Sequence, residues 1–224
     1  MKKLAILITA ALLAVSCASK EKSSEDFLYG SRLYNQFMEY YLKGDAKLAD
    51  YNFYKAEEQF LKVDGMCNLS RLYLGRYIIQ ETEDDSASLE VAKKYADAGK
   101  CEEENNLIAY FSGKQYNKGL LPEPYKTISK LSGEKLYDAA FDDDFDDITR
   151  TRLLRKVSIG YIMQNPSLAE DIAQEALDID KQRGWSLNIM RDLIVIKSAR
   201  DKQNKDSADI DTRIRLIKTQ LIKK

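Results

Sequence analysis

Residues 154–180 read LRKVSIGYIMQNPSLAEDIAQEALDID, and this stretch decides the fold that we expect for the whole chain. The residues before its Asn-Pro pair that recur at helical spacing are Leu154, Val157, Ser158 and Tyr161. After the pair the recurring residues are mostly alanines, namely Ala169, Ala173, Ala176 and Leu177. Residues three or four positions apart share a face of a helix, and Asn-Pro favours a turn. The stretch therefore predicts a helical hairpin whose second helix has a small face that another backbone can approach closely.

This combination of larger side chains on a first helix and alanines on a second resembles the tetratricopeptide repeat (TPR), and residues 176–180 resemble the end of its second helix. Gly75 and Gly113 lie 38 residues apart, close to one repeat of about 34 residues plus a loop. The resemblance covers most of residues 33–222 and implies an all-α fold, a TPR-like α-solenoid of stacked helical hairpins. Another α-solenoid or an irregular helical bundle is the alternative, because both use the same packing chemistry.

Further helices follow from apolar spacing and from breaks at glycine and proline. We expect them at residues 27–42, 46–63, 68–80, 89–98, 105–116 and 122–131, then near 187–194 and, as a capping helix, at 210–221. The polar run 199–207 is expected to be a loop, and residues 119–147 are the least regular part. That irregular part divides the expected repeats into an N-terminal group, residues 26–140, and a C-terminal group, residues 141–224.

The N-terminus has the pattern of an export signal. Two lysines precede an apolar run at residues 4–13, which is too short to span a bilayer of about 30 Å. The run ends in Ala14-Val15-Ser16-Cys17, which resembles the bacterial lipoprotein signal. The resemblance implies cleavage of residues 1–16, acylation of Cys17 and a tether at 17–25. Because Ala18-Ser19 follow the cysteine, it also implies the outer membrane, facing the periplasm; the alternative is an ordinary secretory signal.

Composition and missing motifs argue against several classes of protein. Lys and Arg number 35 against 36 Asp and Glu, so the chain lacks the basic surface that binds nucleic-acid backbones. The chain contains no histidine, the commonest metal ligand and general base, and no Gly-x-Ser-x-Gly motif or phosphate-binding glycine loop. We therefore expect a non-enzymatic protein without a cofactor, a bound metal or a nucleic-acid partner.

Three aspartates at alternate positions, Asp142, Asp144 and Asp146, are spaced like the start of a calcium-binding loop. An EF-hand requires glycine at the next position and glutamate near the twelfth, where this chain has Asp147 and Leu153. Acidic residues also interact favourably with the N-terminal dipole of a following helix. We therefore interpret this run as a helix start and not as a metal site.

Two further cysteines, Cys67 and Cys101, lie near the starts of first helices in adjacent repeats of the implied TPR-like array. Packed helices lie about 8–10 Å apart. Export permits a disulfide, which requires the two Cα atoms to lie within about 7 Å of each other. The sequence leaves two readings open, a disulfide or two buried thiols that act as small apolar residues.

Fourteen tyrosines are many for this length, and several recur on the expected first helices. First helices line the concave groove of a TPR stack, so these residues form a candidate partner groove: Tyr40, Tyr73, Tyr77, Tyr110 and Tyr116. Each tyrosine can equally fill space between helices. The leading hypothesis is a membrane-anchored scaffold that binds an envelope protein. The alternatives are an accessory lipoprotein of a periplasmic solute-binding system and a surface-exposed lipoprotein that contacts a host or other cells.

Overall fold

A computed structural model describes residues 25–80, 86–141 and 145–223. Within these ranges the chain is all-helical, with eleven α-helices, one 3-10 turn at Lys118–Leu120 and no strand. The expected signal peptide and lipidated Cys17 lie outside the described residues. The helices are Glu25–Leu42 (α1), Ala46–Lys62 (α2), Met66–Gln80 (α3), Ser86–Gly99 (α4), Glu102–Phe111 (α5), Tyr125–Ile128 (α6), Glu134–Ala140 (α7), Asp147–Tyr161 (α8), Pro166–Arg183 (α9), Ser186–Lys202 (α10) and Ala208–Lys223 (α11).

Local sequence sets several of the helix ends. The hairpin α8–α9 turns where the sequence predicts, because the Asn165 side chain accepts a hydrogen bond from the Leu168 amide and Pro166 occupies the first position of α9. Helix α9 ends at Gly184, whose φ of 69° is left-handed and suits glycine. Helix α2 begins in the same way, with the Asp45 carboxylate accepting from the Leu48 amide. These caps satisfy backbone groups that a helix leaves unpaired.

Neighbouring helices pack as hairpins around four apolar clusters. The first cluster lies among α1, α2 and α3 and includes Leu33, Phe37 and Phe53, and the second lies among α3, α4 and α5. The third lies among α6, α7, α8 and α9, and the fourth among α9, α10 and α11. Ala173 and Ala176 of α9 are fully buried, at 0% exposure. This confirms the prediction that the small face of α9 packs closely against neighbouring helices.

Three expectations about helix bounds are wrong. Helix α5 ends at Phe111, since Gly113 takes the left-handed conformation, so Tyr116 lies in a loop and not on a first helix. Helix α6 ends at Ile128, and the separate helix α7 was not expected. The segment after Ala199 continues α10 to Lys202, because Ala199 is buried and Lys197 pairs with Asp201 one turn later.

The two groups of helices contact each other directly where α10 meets α1 and the end of α3. The Trp185 indole N–H donates to the Glu39 carboxylate on α1 at 3.0 Å. The Arg191 guanidinium on α10 is buried and donates to the carbonyls of Ile79 and Gln80, the last residues of α3, at 2.9 and 2.7 Å. Since these carbonyls end a helix, a cation is the expected partner for them.

A buried ionic cluster links three helices of the C-terminal group beside this junction. Arg155 on α8 donates to Asp180 on α9 at 2.8 Å and to Asp192 on α10 at 2.7 Å. Asn188 donates to Asp180 and accepts from Arg191. Burial raises the pKa of Asp192, and the nearby Asp180 carboxylate raises it further against the lowering effect of Arg155. The cluster therefore couples α8, α9 and α10 to the end of α3.

Candidate functional site

The inner faces of several helices surround one open cleft with a volume of about 300 Å³. We call it the central cleft. Its walls come from α1, α3, α5 and α8, from the start of α6, and from the segments that precede α6 and α8. The residues that line it are Tyr34, Met38, Arg71, Gly75, Ile78, Glu103, Glu104, Leu107, Pro122, Tyr125, Asp146, Ile148, Thr149 and Arg152.

Helical spacing explains which residues reach the central cleft. Helix α1 contributes Tyr34 and Met38, four residues apart, and α3 contributes Arg71, Gly75 and Ile78, spaced four and three apart. Each pair or triplet therefore lies on a single face of its helix. Helices α5 and α8 follow the same rule. These regular faces show that the cleft is built from rigid elements and not from loops alone.

The floor of the central cleft depends on the close approach of α1 and α3. The Tyr34 hydroxyl lies directly over Gly75, where an added Cβ would overlap it. Glycine therefore provides the space that this tyrosine occupies. Burial raises the pKa of Tyr34, and the neighbouring Tyr125 and the Asp146 carboxylate raise it further. Ionisation of this hydroxyl is therefore even less favourable than for an ordinary tyrosine, which is already neutral at physiological pH.

One wall carries an ion pair between an arginine and two glutamates. The Arg71 side chain forms an ion pair with the buried carboxylate of Glu104 and lies 3.8 Å from that of Glu103. Glu104 is only 4% exposed, whereas Arg71 is half exposed. A buried carboxylate requires such a partner because desolvation of an isolated charge is costly. Arg71 therefore presents a fixed guanidinium edge at the cleft.

The opposite wall comes from α8 and the segment before it. Asp146 caps α8 by accepting hydrogen bonds from the amide of Thr149 at 3.1 Å and from its hydroxyl at 2.7 Å. The Arg152 guanidinium lies one turn further and approaches the Tyr125 hydroxyl at 3.4 Å. Helix capping therefore accounts for one of the three aspartates that resemble a calcium loop. The other two, Asp142 and Asp144, lie outside the described residues.

The five tyrosines predicted to form a partner groove lie elsewhere. None of them lines the central cleft. The Tyr73 ring packs edge-on against Phe53, with centroids 5.0 Å apart, and its hydroxyl donates to Glu57. Three of the others form aromatic contacts between helices or with the loop after α5, and Tyr40 packs on the first apolar cluster: Tyr40, Tyr77, Tyr110 and Tyr116. These positions favour packing over direct contact with a partner.

The structure joins Cys67 and Cys101 in a disulfide, with their Cα atoms 5.6 Å apart. Cys67 lies in the first turn of α3 and Cys101 directly precedes α5, so the bond joins two helices that line the cleft. The carboxylate of Glu104 lies beside the two sulfurs. Because the thiols are consumed by the bond, this group offers no thiolate ligand to a metal.

The residues of the central cleft carry no sequence motif that marks them as a site. A signal was present, since Arg71, Gly75 and Ile78 continue one face of α3, and Tyr34 and Met38 one face of α1. The pattern is weak, because the face of α3 mixes Arg71 with Gly75 and Ile78, and α1 contributes only Tyr34 and Met38. These faces meet only in the folded chain, where α1 packs against α3 and Ile148 of α8 packs against the apolar cluster of α1, α2 and α3.

Comparisons with known proteins assign no family. No family model, no curated protein and no solved structure matches the chain significantly. In the part of the chain that the structure describes, no helix is long and apolar enough to cross a membrane. Any functional conclusion therefore rests on the residues of this chain and on the geometry of its cleft.

Proposed function

We propose that this protein is a non-enzymatic, lipid-anchored scaffold of TPR-like hairpins that binds a short segment of an envelope protein in the central cleft. The observation that carries the proposal is that first helices of successive hairpins, α1, α3 and α5, all line that one cleft. Concave faces of helical repeat arrays are common peptide-binding surfaces. The lipoprotein-like sequence that ends at Cys17 supports the anchor and an outer-membrane, periplasm-facing location.

The dimensions of the cleft favour a narrow occupant. A helix is about 10 Å wide, so two turns of it occupy well over the volume of this cleft. At about 300 Å³, the cleft instead fits one or two side chains of an extended segment. Met38, Ile78 and Leu107 suit an apolar side chain. The nearby guanidinium of Arg71 suits a carboxylate or a backbone carbonyl of the bound segment.

An accessory role in solute binding is the second candidate, because a cleft of this volume also fits a small organic molecule. The apolar residues at its base and the charged groups at its walls suit an amphipathic ligand. This candidate differs from the first in the chemical class of the occupant. A single preparation of the protein can therefore test both.

Site-specific photo-crosslinking in intact cells tests the proposal. We expect a crosslinker at Ile78, inside the cleft, to capture one defined envelope protein, and a crosslinker at Leu216, which is 64% exposed on α11, not to capture it. The captured amount should fall when Cys17→Ser removes the anchor. Equal capture from both positions would contradict binding in the cleft. A bound small molecule in native mass spectra, without any protein adduct, would favour the solute-binding candidate.

Protease digestion of the protein on intact cells would indicate that it is exposed on the cell surface.

A further inference from the structure

The disulfide and the ion pair between Arg71 and Glu104 join the same two helices. Cys67 and Arg71 are four residues apart at the start of α3. Cys101 directly precedes α5, and Glu104 follows it by three residues. Residues at these spacings lie about one turn apart on one face of a helix. The two links therefore run side by side between α3 and the first turn of α5, and the residues of the ion pair line the central cleft.

The first turn of α5 depends on these links. Within the described residues, the Cys101 side chain makes no capping hydrogen bond to α5. A helix start without a side-chain cap leaves backbone amides unpaired and frays readily. Further along α5, Leu107 and Ile108 are buried in the second apolar cluster and hold that part of the helix in place. The disulfide therefore acts on the start of α5, which brings Glu103 and Glu104 to the cleft wall.

One sulfur of the bond can be approached from the protein surface. Cys67 is partly exposed and borders a surface pocket of about 510 Å³, whereas Cys101 is 4% exposed. Gly99 lies in the same pocket, and an added Cβ there would lie 2.7 Å from the Cys101 sulfur and 3.5 Å from the Cys67 sulfur. A side chain at this position would cover the sulfurs, so glycine keeps the approach from the pocket open. The rate of thiol–disulfide exchange depends on such access.

We propose that the Cys67–Cys101 disulfide is a redox switch of the central cleft, which a dithiol reductant operates by attack on the Cys67 sulfur. The inference rests on the proposed function, because the cleft is the site that the bond regulates. In the oxidised state the bond holds Glu104 against Arg71, which fixes the guanidinium at the cleft wall. In the reduced state the first turn of α5 is released from α3, and the cleft loses this fixed guanidinium.

The exchange balances as a two-electron reduction. A thiolate of the dithiol forms a bond to the Cys67 sulfur, the bond between the two cysteine sulfurs breaks, and Cys101 leaves as a thiolate that takes up a proton. The second thiolate of the reductant then attacks the mixed disulfide, so that Cys67 leaves in the same way and the reductant becomes a disulfide. The protein gains two electrons and two protons, and the same steps in reverse restore the bond.

Hydrogen exchange on the full-length protein tests the inference. The folded, oxidised protein is treated with dithiothreitol, the new thiols are alkylated, and peptide mass spectrometry identifies the labelled cysteines. We expect reduction of the native protein at a rate proportional to the reductant concentration, because the Cys67 sulfur is accessible. The amides of residues 105–108 should then exchange about tenfold or more faster, while those of the hairpin α8–α9 stay unchanged.

Three results of this experiment would overturn the switch. Reduction at the rate of global unfolding, independent of the reductant concentration, would show that the bond is inaccessible in the native protein. Unchanged exchange at residues 105–108 after complete reduction would show that the start of α5 does not depend on the bond. Faster exchange across α8–α9 as well would show a general loss of stability and no local release of the wall.

Capture of the partner in intact cells connects the switch to binding. With the crosslinker at Ile78, the double variant Cys67→Ser and Cys101→Ser should capture about fivefold less partner per molecule than the parent protein, because the cleft wall is no longer preorganised. Asn68→Ser, beside Cys67 but outside the bond, is the matched control and should capture as much as the parent. Equal capture by the double variant would overturn the switch and leave the proposed function intact. No capture even by the parent would overturn the proposed function and the regulatory role together.

Discussion

At the residue scale, the buried cluster around Arg155 contains one basic group and two acidic groups. One guanidinium faces two carboxylates, those of Asp180 and Asp192, and all three side chains are 4% exposed or less. Two like charges in a buried site favour the protonated form of one of them. Burial and the neighbouring Asp180 raise the pKa of Asp192, so protonation is favoured on this carboxyl.

The raised pKa of Asp192 predicts how stability depends on pH. An unfolded aspartate has a pKa of about 3.9, so above that value the unfolded state releases a proton that the folded state keeps. The stabilisation from the protonated group is complete below about pH 4 and is lost as the pH rises through the higher folded pKa. We expect Asp192→Asn, which resembles the protonated acid, to make the free energy of unfolding less dependent on pH.

Urea denaturation at about pH 5 and about pH 8 measures this difference. Asp50→Asn, on the exposed side of α2, is the control and should leave the pH dependence of the parent protein unchanged. If Asp192→Asn weakens the protein equally at both pH values, the carboxyl is ionised in the folded state. The pH argument would then be wrong.

At the element scale, the hairpin α8–α9 combines a capping side chain, a proline and a left-handed glycine in a single unit. Asn165, Pro166 and Gly184 occupy the positions that each residue type prefers. The Ser158 hydroxyl of α8 also donates to the Ala169 carbonyl of α9 at 2.6 Å. The hairpin therefore carries its own boundaries in the local sequence.

Removal of the cap tests that interpretation. We expect Asn165→Ala to lower the free energy of unfolding by about 1 kcal/mol, because the Leu168 amide loses its side-chain acceptor. Gln164→Ala is the matched control, since Gln164 is also exposed and adjacent but does not cap the helix. Thermal or urea unfolding gives the stabilities, and hydrogen exchange should show faster exchange in the first turn of α9. A loss of the same size in both variants would contradict a specific capping role.

At the scale of the whole molecule, the shape of the central cleft depends on how the two groups of helices meet. Arg191 reaches from α10 to the end of α3, a separation of 112 residues to Ile79 in the chain. Leu221 on α11 lies against Gly44 in the turn between α1 and α2. These long-range contacts hold α8 opposite α1 and α3, and so keep the cleft walls in place.

Replacement of Arg191 should loosen that junction. We expect Arg191→Met to cost about 2–4 kcal/mol, since two buried carbonyls lose their donors and Asn188 loses a partner. Arg200→Met, on the same helix but in a partly exposed ion pair with Glu170, should cost about 1 kcal/mol or less. Chemical denaturation gives the two stabilities. Hydrogen exchange should rise at the end of α3 only in the first variant, and unchanged exchange there would contradict the role of Arg191.

The sequence alone determined the all-helical class, the hairpin at residues 154–180 and most helix starts, because spacing and caps act within a few residues. The predicted C-terminal ends of α5 and α10 are wrong. Gly113 takes a left-handed conformation just after α5 ends, and α10 continues past the buried Ala199. The sequence alone also missed the central cleft. Tyr34, Arg71 and Arg152 lie far apart in the chain, and each lies on a mixed polar and apolar face without a distinct local pattern.

The tertiary structure alone decided which faces meet, and the physical reason is that long-range packing selects among many equivalent amphipathic surfaces. The tyrosines that were predicted to line a groove instead pack against neighbouring helices and loops. Tyr34 lies in the cleft because Gly75 leaves space for its side chain. The burial of Arg155 and Arg191 likewise depends on hydrogen-bond partners that lie on other helices. Local chemistry thus set the elements of this protein, and contacts between distant helices set its candidate site.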